Sequence, residues 1–205
     1  MEKSRNYVVF GVLALVVSLV AVSLAYAGFS QQLNINGTAT VKSASWNVHF
    51  DNVANKSIST GATWGTEPAI ASATQIGNYV VNFTTPGQSA SFEFDVKNTG
   101  SFAAELTGLT VGTPTCSGDT NATAICNQMT YVLKKKGTET PITAADNSIL
   151  AAYTGSQTYV LTLTWVDNGN SSVLPASSDV SISGLGVQFT YTQNGNYVAP
   201  AQQGG

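Results

Sequence analysis

The chain has 205 residues, room for one ordinary domain behind a leader or at most two small ones, and one is expected. Only 9% of residues are charged, against about 25% in an average soluble protein, with Ser, Thr, Asn and Gln in place of the missing charges. The net charge of −3 supplies no basic footprint, which excludes nucleic acid and anionic membrane surfaces as natural partners.

The chain opens on a leader. Residues 1–7 carry Lys3 and Arg5, residues 8–24 are almost wholly apolar, and Ala25-Tyr26-Ala27 is an A-x-A cleavage site. Residues 1–27 are therefore expected to be a secretory signal helix, with Gly28 as the mature N-terminus. A retained membrane anchor is the alternative, since the apolar run just suffices to span a bilayer. A type IV pilin helix fits less well, because no Gly or Ala immediately precedes that run.

In residues 28–42, Leu33, Ile35, Gly37, Ala39 and Val41 alternate with Asn34, Asn36, Thr38 and Thr40, the period of a half-buried strand. Burying Leu33, Ile35 and Val41 would be worth about 1.5–3 kcal/mol each, and the strand's amides also need partners. Docked in its own domain it is an ordinary first strand; docked in a neighbouring copy it makes the protein a fibre subunit.

A β-sandwich domain is expected over residues 43–193. Trp46, Val48 and Phe50 give its first strand an aromatic inner face, and residues 52–72 read as a long surface connection, with room for a short strand, anchored by Ile58, Trp64 and Ile70. Tyr79, Val81 and Phe83 then alternate, Thr85-Pro86-Gly87-Gln88 turns the chain, and Ala90, Phe92, Phe94 and Val96 face inward, so a hairpin is expected here. The phase changes at Gly108, between Ala104/Leu106 and Leu109/Val111, which predicts a bulge.

Cys116 and Cys126 lie on the exported side and are expected to form a disulfide worth about 2–3 kcal/mol. Met129, Tyr131 and Leu133 lead into Lys134-Lys135-Lys136, read as a solvated edge, and residues 141–152 as a loop or short helix. Tyr159, Leu161, Leu163 and Trp165 alternate most clearly. Val180 and Ile182 change phase to Leu185, Val187, Phe189 and Tyr191, suggesting a second bulge at Gly184, and residues 194–205 read as a flexible tail. About eight to ten strands and no convincing helix predict an all-β chain, a single jelly-roll-like β-sandwich.

Catalytic chemistry is sparse. His49 is the single histidine and alternates with the inner face, so it reads as a rim residue, and a zinc motif or a triad has too few parts. Asp51-Asn52 and the run from Asp167 to Asn170 lack a full calcium-loop signature and read as turns. No cofactor, no metal and no enzyme activity are expected. Asn36, Asn55, Asn82, Asn121 and Asn170 each open an N-x-Ser/Thr sequon, a triplet that polar chains also generate by chance.

The run AYAGFSQQLNINGTATV into SASWNVHF, the segment PGQSASFEFDVKNTGSFAAEL and the closing DVSISGLGVQFTYTQ resemble the TasA/camelysin family of secreted biofilm-matrix proteins and the related archaeal bundling pilins. That resemblance implies a jelly-roll sandwich whose N-terminal strand completes the sheet of the next subunit. The peptidase activity sometimes attached to camelysin-like proteins is not expected, for want of histidines.

The expected function is a secreted extracellular filament subunit. Leu33, Ile35, Ala39 and Val41 would enter an acceptor groove and Gly37 would allow close backbone approach. Its partners would be copies of itself, head to tail, and a minor or anchoring subunit, with membrane contact only through the leader. The inner faces of Phe92 to Val96 and of Val187 to Tyr191 are the candidate acceptor surfaces. The alternative is a monomeric cell-surface binding module, for which Trp64 is the best stacking candidate, since Trp46 and Trp165 read as core.

Overall fold

The computed structural model describes residues 44–195, and these are all-β. Thirteen strands among them form antiparallel sheets, with one short helix, α1 (Ala122–Cys126). The main sheet orders β1 (Val48–Ile58), β6 (Ser89–Asn98), β11 (Gly155–Trp165) and β9 (Met129–Lys135). A second sheet orders β10 (Ile149–Leu150), β7 (Ala104–Val111) and β13 (Val187–Gln193). Three small ladders pair β2 (Thr63–Thr66) with β5 (Val80–Asn82), β3 (Ile70–Ser72) with β4 (Gln75–Ile76), and β8 (Thr115–Ser117) with β12 (Ser181–Ser183).

Strand β6 organises the core. Its alternation buries Ala90, Phe92, Phe94, Val96 and Asn98, and the register sets Phe94 opposite Tyr159 and Phe92 opposite Leu161. Leu133 of β9 lies opposite Leu161 in turn. Phe189 of β13 reaches this layer from the other sheet: its ring centroid lies 6.0 Å from Phe94, 4.9 Å from Tyr159 and 6.1 Å from Phe50. Ring pairs of this kind add about 0.5–1.5 kcal/mol each to the area they bury. The two sheets are thus glued face to face by aromatic side chains, as in a sandwich.

Asn98, at the end of β6, is a buried polar knot. Its Nδ2 donates to the carbonyls of Phe102, Leu150 and Ala151, and its Oδ1 accepts the Gly100 amide. Full satisfaction is what makes a buried amide tolerable.

A second clamp closes the opposite region. The Cys116–Cys126 disulfide joins β8 to α1. Beside it the Asp119 carboxylate accepts backbone N–H bonds from Asn121, Ala176, Ser177 and Ser178, tying this loop to the segment that leads into β12.

Four expectations require correction. The segment of Tyr79 to Phe83 does not form a hairpin with β6: β5 pairs with β2, and β6 lies between β1 and β11. Residues 52–58 are not surface connection but the continuation of β1, which bulges twice and carries Asn52 and Asn55 at positive φ. Gly184 is not a bulge within one strand, because Ile182 belongs to β12 and Val187 to β13, in different sheets. Trp46 is not core: it precedes β1 and is 47% exposed, whereas Trp165 is buried. The expected bulge near Gly108 is present, with Thr190 opposite Gly108 and Tyr191 opposite Leu106.

The four amide bonds hold the Asp119 carboxyl below its ordinary range, chiefly through the Asn121, Ala176 and Ser177 amides. A depressed folded-state value contributes stability above the ordinary carboxylate range and loses it as pH falls through and below that range. Asp119→Asn should therefore be less stable at neutral pH and lose less of its stability between about pH 5 and pH 2 than the parent, read from urea midpoints.

Candidate functional site

The two long sides of the sandwich differ. On the β9 side the 138–150 segment covers the edge: Ile142 donates to the Leu133 carbonyl, Lys134 bridges to Pro141, and Leu106 donates to the Ser148 carbonyl. Ion pairs from Lys134 to Glu139 and from Lys135 to Asp146 fasten it further. On the other side, β13 has a ladder partner only in β7 among the described residues. Among the described residues its outer edge is a row of backbone donors and acceptors with no strand partner.

The inward side chains of β13, Val187, Phe189 and Tyr191, are half-buried, whereas the central strands bury theirs fully. A groove runs along this edge between the sheets. Its wider part, about 570 Å³, is floored by Phe92, Phe94 and Leu161 and walled by Leu185, Val187 and Ile76. A narrower part of about 170 Å³ continues past Phe50 and Phe189 to Trp46, Val96 and Tyr191. The far wall is the β3–β4 hairpin, moored to β1 by the Phe50 N–H on the Ala73 carbonyl (2.8 Å).

Two tyrosine pairs stand at the groove, and Tyr79, Tyr131 and Tyr191 line it. Tyr79 and Tyr131 share a 2.8 Å hydroxyl hydrogen bond, and Tyr131 also donates to the Leu185 carbonyl at 2.7 Å. The hydroxyls of Tyr159 and Tyr191 lie 3.2 Å apart. Burial, with the neighbouring tyrosine second, pushes the Tyr131 and Tyr191 phenols well above their ordinary value, so both stay neutral. The wider part of the groove therefore sets aromatic and aliphatic side chains beside uncharged polar groups, which suits the backbone and aliphatic side chains of an added strand.

The structure brings the two candidate acceptor faces together: Phe92 and Phe94 share the wide part with Val187 and Phe189. Sequence reasoning missed the β3–β4 hairpin, the Leu185 loop and the tyrosine pairing. Tyr79 and Tyr131 did stand at inward positions of alternating runs. The donor-strand residues Leu33, Ile35, Gly37, Ala39 and Val41 and the cleavage residues Ala25, Ala27 and Gly28 lie outside the described residues.

His49 borders the narrow end, half-buried, with its Nδ1 shielded from solvent and without a hydrogen-bond partner among the described residues. Trp64 packs edge-on against Tyr79 at 6.4 Å rather than standing free as a platform. Among the described residues no three His, Cys, Asp or Glu side chains gather as metal ligands.

No protein-family model, curated protein or solved structure matches the chain.

The Tyr131 hydroxyl secures the loop that begins β13. Tyr131→Phe should cost about 1 kcal/mol in urea unfolding, the usual net worth of a hydrogen bond, and leave the far-ultraviolet spectrum unchanged.

Proposed function

We propose that the chain is a secreted structural subunit that polymerises by lending residues 33–41 to the open edge of β13 in a neighbouring copy. The observation that carries this reading is the β13 edge, unpaired among the described residues, above an aromatic-lined groove, on a domain whose other long side is closed. The lengths agree, since a nine-residue alternating segment meets a strand of 7 residues. Leu33, Ile35, Ala39 and Val41 face the groove, and Gly37 permits close backbone approach where the wall is aromatic. Added main-chain hydrogen bonds extend the three-stranded sheet to four, in a jelly-roll arrangement, and the side chains cover Val187, Phe189 and Tyr191.

Such a contact is head to tail, so it propagates instead of closing. One terminal subunit keeps an empty groove, which gives a minor or anchoring subunit its place. The resemblance to TasA/camelysin proteins points the same way, and the leader supplies export. The reading contains no catalytic step and needs no cofactor.

A second reading, a monomeric surface-binding module, is favoured by one observation. Trp46 stands 47% exposed at the narrow end of the groove, where a ring could stack on a ligand.

Electron microscopy separates the two. Mature protein should form ordered fibres, and deletion of residues 28–41 should leave folded monomers that a synthetic peptide of residues 33–41 stabilises against heat. Fibres that persist after the deletion would exclude the donor strand. Monomeric mature protein that binds a ligand through Trp46 would support the module instead.

A further inference from the structure

Four of the five sequons fall within the described residues, and the fold treats them differently. Asn55 adopts positive φ in a bulge, and its Nδ2 donates to the Glu93 carboxylate at 2.6 Å. Asn121 is half-buried at the start of α1, with Nδ2 on the Leu174 carbonyl at 2.9 Å. Asn82 turns its Nδ2 toward Thr63 across the β2–β5 ladder and lies over Gly65, where a Cβ would come within 3.2 Å of it. A substituent on any of these nitrogens must fit beside a contact that the fold already makes there.

Asn170 differs. It is exposed in the middle of a 3₁₀ turn (Gly169–Ser171), and its side-chain amide has no hydrogen-bond partner among the described residues. The turn holds its shape without it. Asp167 Oδ1 accepts from the Gly169 amide at 2.8 Å and from the Ser172 hydroxyl at 2.7 Å, and Ser172 Oγ accepts the Asn168 amide at 2.8 Å. Gln128 pins the far side by donating to the Ser171 carbonyl at 2.9 Å. The space around the turn is open, since a Cβ built on Gly169 meets nothing within 4 Å. None of residues 166–172 lines the groove.

We propose that Asn170 carries an N-linked glycan. The inference rests on the export reading, because the transfer occurs during or after passage across the membrane. The co-reactant is a lipid-linked oligosaccharide phosphate. Asn170 Nδ2 bonds to the anomeric carbon, the bond from that carbon to phosphate oxygen breaks, the lipid phosphate leaves with the electron pair, and one amide proton passes to the transferase. Ser172 supplies the hydroxyl by which the sequon is recognised. Recognition precedes folding, so the later engagement of Ser172 with Asp167 is no obstacle. The folded turn then presents the sugar to water, away from the strand-accepting edge.

Peptide mapping by mass spectrometry, on protein recovered outside its own cells, tests this. The Asn170 peptide should carry glycan mass that an N-glycan-releasing enzyme removes. Asn170→Gln and Ser172→Ala should each abolish it, with the Asn170→Gln melting temperature matching that of enzymatically released parent. Exported protein with a bare Asn170 peptide would overturn this inference and leave the export reading intact. Bare protein retained in the cytoplasm would overturn both.

Discussion

The contact on which the rest of the structure depends is the packing of Phe189 against Phe94, Tyr159 and Phe50. Phe94 and Tyr159 are buried at the centre of the main sheet, while Phe189 belongs to a strand with one ladder partner among the described residues. Truncating such a ring costs about 3–5 kcal/mol, enough to hold a strand that the described residues pair along one edge alone. The aromatic cluster therefore permits what an edge strand ordinarily avoids, a long margin that no described strand pairs, in contact with the hydrophobic interior. Three of the rings that join the sheets, Phe50, Phe94 and Phe189, also line the groove. Stability and the proposed function draw on one set of side chains.

The two sides of the domain show how an edge is closed and how one is left open. Beside β9, a loop donates to the outer carbonyls and lysine–carboxylate pairs pin it down. Every lysine among the described residues is engaged in an ion pair, three of them in the run from Lys134 to Lys136. No lysine or proline guards β13, whose sequence VQFTYTQ is uncharged. Exposed pairs of this kind contribute little to stability, but charge on an edge discourages unwanted strand addition. Its absence from β13 is what strand acceptance requires.

Much of the architecture could be read from the chain because β6 and β11 alternate without interruption and are buried on one face. Pairing was harder. The turn at Thr85 to Gln88 looked like a hairpin, yet Gln88 closes it with its own side chain, accepting the Thr84 and Thr85 amides, so no ladder follows. The second half of β1 escaped notice because an edge strand carries polar residues, NVANKS, and its bulges break the period. Gly184 hid a change of sheet, since periodicity does not say to which neighbour a strand is bonded. For the groove, the inner faces of Phe92, Phe94, Val187 and Phe189 were legible as alternation. The β3–β4 hairpin was not, because its exposed residues follow no apolar pattern.

Backbone hydrogen exchange across residues 187–193 tests the central claim most directly, comparing protein lacking residues 28–41 with the assembled mature form. The amides of β13 that face away from β7 should exchange rapidly in the truncated domain and become strongly protected on assembly, while those bonded to β7 stay protected in both. Equal exchange at the outer amides in the two forms would mean that no strand occupies this edge and would contradict the account.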